Sequence, residues 1–118
     1  MLPKKYRLTK NSAFKATYNV KNSVSDALFT VCAGRKNVSC GSAARIGFVV
    51  SKKNHKRAVK RNRIKRLMRE SYWSAYKNGE IPNADNYMSL IIIARNNAIG
   101  RDYQTVRNSV VKLISALK

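Results

Sequence analysis

Hydrolysis with two metal ions would call for clustered acids, and acid–base chemistry by imidazoles for paired histidines; the sequence supplies neither. Its five carboxylates, Asp26, Glu70, Glu80, Asp85 and Asp102, are scattered through different predicted elements, so two metal ions have no shared donor set. His55 is the sole histidine, which excludes a paired-histidine mechanism and leaves an exposed loop residue as the simpler reading. Cys32 and Cys40 are too far apart for a CxxC motif and have no neighbouring histidine. They read as reduced, structurally neutral thiols in a reducing compartment, not as a metal knuckle or a redox pair. No catalytic residue and no metal ligand is expected in the polypeptide.

What the chain does carry is positive charge: 25 lysines and arginines against five acids, a formal net charge of +20. An imbalance of this size points to a polyanionic partner, either nucleic acid, an anionic membrane or an acidic protein. Its distribution is uneven. Eleven of the cations lie between Arg45 and Arg69, and no acid interrupts that window. Within AVKRNRIKRLMRESY, residues 58–72, Glu70 alone answers Lys60, Arg61, Arg63, Lys65, Arg66 and Arg69. Like charges three and four residues apart on a helix repel by a few tenths of a kcal/mol each.

Cations at a helix N-terminus also oppose its macrodipole. The same N-terminus has free amides and is preceded by Lys52, Lys53, Lys56 and Arg57, a good setting for phosphate. These features agree only if an anion completes the surface. Arginine's planar fork holds a phosphate by two hydrogen bonds and lysine adds charge without that geometry, so the mixture suits a phosphate backbone.

The elements that must position these residues can be read from periodicity. Residues 11–19 form a short helix with Asn11 or Ser12 as cap and Phe14 and Tyr18 on one face. Residues 27–33 form a strand with Phe29 and Val31 on one side and Thr30 and Cys32 on the other. Residues 34–44 make a flexible connection, and 45–51 a second strand. Residues 58–77 form an amphipathic helix with Ile64, Leu67, Met68, Ser71 and Ala75 inward, stopped by Asn78 and Gly79. Its opposite sector holds Asn62, Lys65, Arg66 and Arg69, with Arg61 and Arg63 bordering the two.

After a polar turn at 80–86, residues 88–94 read as a central strand buried on both faces. Asp102 caps a last helix whose stripe of Tyr103, Val106, Val110, Leu113, Ile114 and Leu117 is core. This order, with room for one further short strand, predicts a single domain over residues 1–118: an α+β sandwich of helices against a small sheet. Hydrophobic content of 44% argues against disorder. No apolar run approaches the roughly 20 residues needed to span a bilayer, and MLPKKYRLTK lacks a secretory segment. A membrane-surface role fails because the basic helix's apolar face is wanted by the core. A cytoplasmic protein without a membrane or small-molecule partner is expected.

RIGFVVSKKNHKRAVKRNRIKRLMRE closely resembles the signature of the protein subunit of bacterial ribonuclease P, a strand ending in Ser-Lys-Lys followed by a helix carrying Arg-Asn-Arg-Ile-Lys-Arg. YRLTKNSAFKATY resembles that family's N-terminal segment, and LIIIARNNAI its last strand and following turn. The resemblance thus spans nearly the whole chain. It implies a two-layer sandwich of helices on a small mixed sheet, like the ribosomal protein S5 domain 2-like fold, with a left-handed strand-helix-strand crossover against the general rule.

It also implies a function, assistance to a catalytic RNA that removes the 5′ leader of precursor tRNA using magnesium held mainly by the RNA. By the same resemblance Lys52, Lys53, Lys56, Arg57, Lys60, Arg61, Asn62, Arg63, Lys65, Arg66 and Arg69 lie against the RNA subunit. Phe14, Tyr18, Thr30 and Cys32 line a cleft for the single-stranded leader, where aromatic stacking beside cations is physically apt. Ordinary core packing is the competing reading for Phe14 and Tyr18. Cys32 stands where family members often carry a tyrosine, and NHKR at 54–57 replaces a stretch that is commonly apolar and glycine-containing. A ribosomal or RNA-chaperone protein without a leader cleft is the alternative, and a helix-turn-helix DNA binder fits the strands poorly.

Overall fold

The computed structural model describes residues 6–35, 44–50 and 58–117. The helices are α1 (Asn11–Asn19), α2 (Ala58–Lys77) and α3 (Tyr103–Ser115), and the strands β1 (Asn22–Ser25), β2 (Phe29–Ala33), β3 (Arg45–Val50) and β4 (Ser89–Ala94). The sheet runs β1-β2-β4-β3. The β1–β2 and β2–β4 pairs are antiparallel, whereas β3 and β4 are parallel and joined through α2. This is the mixed α+β arrangement expected from the element order.

Alternation gives each strand two faces. On one, Phe29, Val31, Ile46, Leu90 and Ile92 meet Ile64, Met68, Tyr72 and Ala75 of α2 and Val106, Val110, Leu113 and Ile114 of α3, forming the core. The other face carries Cys32, Ile91 and Gly47 in one register row and Thr30, Ile93 and Val49 in the next. α1 lies across this second face. β4 is the central strand, with Leu90, Ile91, Ile92 and Ala94 all buried.

The ends follow local chemistry. Asp102 accepts a hydrogen bond from the Thr105 N–H at 3.0 Å, a cap that typically stabilises a helix by about 1 kcal/mol. α2 ends at Lys77, and Gly79 takes φ 72°, a left-handed value that glycine adopts without strain. At α1 the sequence expectation needs correction: the cap is Lys10, without a side-chain bond. Its carbonyl already accepts from Ala13 and Phe14, so Asn11 and Ser12 fall inside the first turn.

The sequence reading left room for one further short strand without placing it, and two other features lay outside it. β1 is a polar edge strand with only one large apolar residue, Val24. Arg7 bridges Ile46 in parallel and the Leu8 N–H donates to the Ile46 carbonyl at 2.9 Å, which covers the outer edge of β3. The polar turn before β4 is a 3-10 segment, Pro82–Asn86, and Ile81, Ala84 and Tyr87 around it are buried.

Candidate nucleic-acid interface

With Ile64, Met68, Ser71, Tyr72 and Ala75 committed to the interior, the outward side of α2 is fixed by helical geometry. Lys60, Asn62, Arg63 and Arg66 are exposed, while Arg61, Lys65 and Arg69 are half-buried. Leu67, expected inward, is also half-buried. With Val59, which is 79% exposed, it lies along this side. An open depression of about 560 Å³ is lined there by Val59, Asn62, Arg63, Arg66, Leu67 and Glu70.

The five carboxylates account for little of this charge. Asp26 accepts from the backbone N–H groups of Leu28 and Phe29 at 2.8 and 2.9 Å and from Ser109. Asp85 accepts from the Tyr76 hydroxyl at 3.0 Å, Asp102 caps α3, and Glu80 is paired with Arg107. Glu70 alone reaches the basic ridge, 3.3 Å from Arg66, whose side chain remains 76% exposed. Such a surface pair contributes little and is screened by salt. Among the described residues Lys60, Arg63, Lys65 and Arg69 have no ion pair. Lys52, Lys53, Lys56 and Arg57, together with His55 and Cys40, lie outside the described residues.

On the opposite face of the sheet, α1 is held at two points. The half-buried ring of Phe14 lies on Gly47, where an added Cβ would stand 2.6 Å from the ring. One turn on, the Thr17 hydroxyl bonds to the Ala13 carbonyl at 2.8 Å and the Ser89 hydroxyl at 2.6 Å. Gly34 leaves room for this pair, since a Cβ there would strike Ser89. The sequence reading missed Gly47 as the seat of Phe14, although a glycine inside an apolar strand commonly marks a close approach.

Beyond these anchors Tyr18 is 40% exposed, and Cys32 and Thr30 lie half-buried on the sheet face below α1. Tyr18 and Cys32 are close enough to interact. Burial, and then the neighbouring Cys32, raises the Tyr18 hydroxyl above its ordinary pKa, and burial likewise raises the Cys32 thiol. Both are therefore uncharged at neutral pH, and Cys32 is a free thiol. Phe14 and Tyr18 thus differ: the first is an anchor, the second a partly open ring beside the strand. Among the described residues no group of three or more His, Cys, Asp or Glu side chains could hold a metal ion.

Residues 2–118 match the family model described as Ribonuclease P. The ribonuclease P protein component of Clostridium kluyveri is 40% identical over 111 residues, covering 92% of this chain and 91% of that protein. That of Clostridium botulinum strain Langeland is 33% identical over 113 residues, with 94% and 93% covered. Among solved structures, the RNase P protein of Staphylococcus aureus superposes with TM-score 0.70 at 32% identity, covering 92% of each chain. The RNase P protein of Thermotoga maritima gives 0.75 at 27% identity, covering 95% of this chain and 97% of that one.

Proposed function

Because the chain belongs to the ribonuclease P protein family, we propose that it acts as the RNA-binding subunit that helps a catalytic RNA remove the 5′ leader from precursor tRNA. The observation that carries this reading is the outward side of α2, where Lys60, Arg63, Lys65 and Arg69 lack carboxylate partners among the described residues. A phosphate backbone supplies what the chain does not, and arginine binds it with two-point geometry. Arg61, Asn62 and Arg66 belong to the same surface, and Lys52, Lys53, Lys56 and Arg57, which precede the helix in the sequence, are proposed as further RNA contacts.

Among the described residues magnesium finds no fitting donor set, since the carboxylates are dispersed and each is engaged elsewhere. In this reading the metal-dependent chemistry is the RNA subunit's. The test is cleavage of precursor tRNA by that RNA at low magnesium, with and without the protein. Faster leader removal is expected on adding the protein, and an unchanged rate would count against the whole reading.

The second part of the reading assigns the α1 cleft to the single-stranded leader. Tyr18 supplies an open ring, while Thr30 and Cys32 form the opposite wall. Base–aromatic stacking is worth about 1–3 kcal/mol per base. Substrates with progressively longer leaders should therefore show a step in affinity, and Tyr18→Ala should erase it by weakening long-leader binding about tenfold. Affinity independent of leader length would leave only the α2 role.

A further inference from the structure

Trp73 is the one tryptophan of the chain and lies on the same outward side of α2 as the basic residues. Asn62, Arg66, Arg69, Trp73 and Lys77 follow one another at spacings of three and four, which keeps them on one ridge. Its indole packs in part against the core and keeps the rest of its surface open.

Its ring is held in place. Tyr6 lies with its centroid 5.2 Å away at 45°, and Tyr76 stacks at 5.9 Å and 18°. Tyr76 is in turn stacked on the buried Tyr72 and donates to Asp85. The Lys77 ammonium stands over the Trp73 ring, 5.5 Å from its centroid.

A partly open indole held by other rings, carrying a cation and continuing a ridge of arginines, has the composition of a single-strand stacking site. We propose that Trp73, with Lys77, is a platform on which an unpaired nucleobase of the RNA partner stacks. RNA contact then continues about 12 Å past Arg69 along α2. Lys77 would give up the ring face to the base and pair with an adjoining phosphate. Charge complementarity commits the site to RNA, since the ridge leading to it is cationic. This inference rests on the reading that the α2 ridge binds RNA.

The sole tryptophan provides the readout. The full-length protein is titrated with a transcript of the ribonuclease P RNA carrying a terminal dye, so that dye anisotropy reports binding independently. Acrylamide quenching of Trp73 should fall several-fold on complex formation. Trp73→Ala should weaken binding about ten- to a hundredfold while leaving the salt slope unchanged, because no phosphate contact is lost. Trp73→Phe, which keeps a ring, should retain most of the affinity. Bound RNA with unaltered acrylamide quenching of the wild-type protein overturns the platform and leaves the ridge standing, as does Trp73→Ala affinity within about twofold of wild type. No RNA binding by the wild-type protein overturns both. Should Trp73→Ala fail to fold, the quenching measurement on the wild-type protein decides the matter.

Discussion

Two sets of cations in this molecule have the same chemistry and different surroundings. Near the sheet end of α3, Arg95 donates to the Asp26 carbonyl at 3.0 Å, Arg101 to the Asn97 carbonyl at 2.9 Å, and Arg107 pairs with Glu80. Arg95 and Arg107 tie distant segments together, and Arg101 closes its own loop. On α2, Lys60, Arg63, Lys65 and Arg69 have no comparable bond. Net charge alone would have treated both sets as binding surface. The difference teaches that guanidinium groups satisfied by their own chain are spent on the fold, whereas those left unsatisfied on a rigid helix are open to an external anion.

The largest effect should come from reversing charge on the unsatisfied side. Arg63→Glu combined with Lys65→Glu should lower affinity for the RNA subunit by a hundredfold or more, on the order of 3 kcal/mol, since each charged hydrogen bond is worth about 1.5–3 kcal/mol. The slope of log affinity against log salt should fall by roughly 2, given about 0.9 per phosphate contact. Arg107→Glu makes the opposite case. It sets two carboxylates against each other at Glu80 and should lower the melting temperature, yet leave RNA affinity within about threefold, because screening at physiological salt acts over about 8 Å. Similar losses of affinity from both variants would erase the distinction between the two regions.

How far the sequence announced this arrangement depended on how strongly each segment was patterned. β4 was legible because six consecutive residues, SLIIIA, can satisfy little except a buried strand. α2 was legible because Ile64, Met68, Ser71 and Ala75 keep a helical period inside a charged background. Its inward face is wider than that period suggested, since α3 and the sheet both pack on it and bury Tyr72 as well. The same crowding leaves Arg61, Lys65 and Arg69 half-buried on the flanks. β1 gave no signal, because NSVS is paired by backbone bonds to β2 and needs little side-chain burial. The Thr17–Ser89 hydroxyl pair joins residues 72 positions apart, a proximity that no local pattern encodes. Cys32 and Thr30 were placed correctly on their face by simple alternation, whereas the separate roles of Phe14 and Tyr18 emerged only from the position of Gly47.

A smaller effect sharpens the comparison without any RNA. Anions that bind only the folded α2 surface should stabilise the protein by mass action, about 1.4 kcal/mol when sulfate is present at ten times its dissociation constant. Arg63→Gln with Lys65→Gln should reduce the rise in melting temperature, whereas Arg101→Gln should leave it intact. Chloride at matched ionic strength is the control. Equal stabilisation by chloride would mean screening of the +20 charge, with no localised anion site on α2.

An effect of similar size concerns the carboxylate that anchors the other region. Burial alone would raise the pKa of Asp26, but hydrogen bonds from Ser109, Phe29 and Leu28 and the charge of Lys112 outweigh it and hold the group below its ordinary value. A depressed folded-state pKa stabilises the native protein above the unfolded value, about 3.9 for aspartate. That contribution is lost as pH falls through the lower folded value. Asp26→Asn should therefore cost about 1–2 kcal/mol in urea unfolding at pH 7, with the gap from wild type narrowing steadily below pH 4. Taking the difference between the two proteins cancels the titration of distant carboxylates. Arg63→Gln with Lys65→Gln, which introduces no titratable group and leaves Asp26 untouched, should run parallel to wild type instead. A gap for Asp26→Asn that stays constant into acid would show that shape at this position, and not its ionised carboxylate, joins the β1–β2 turn to α3.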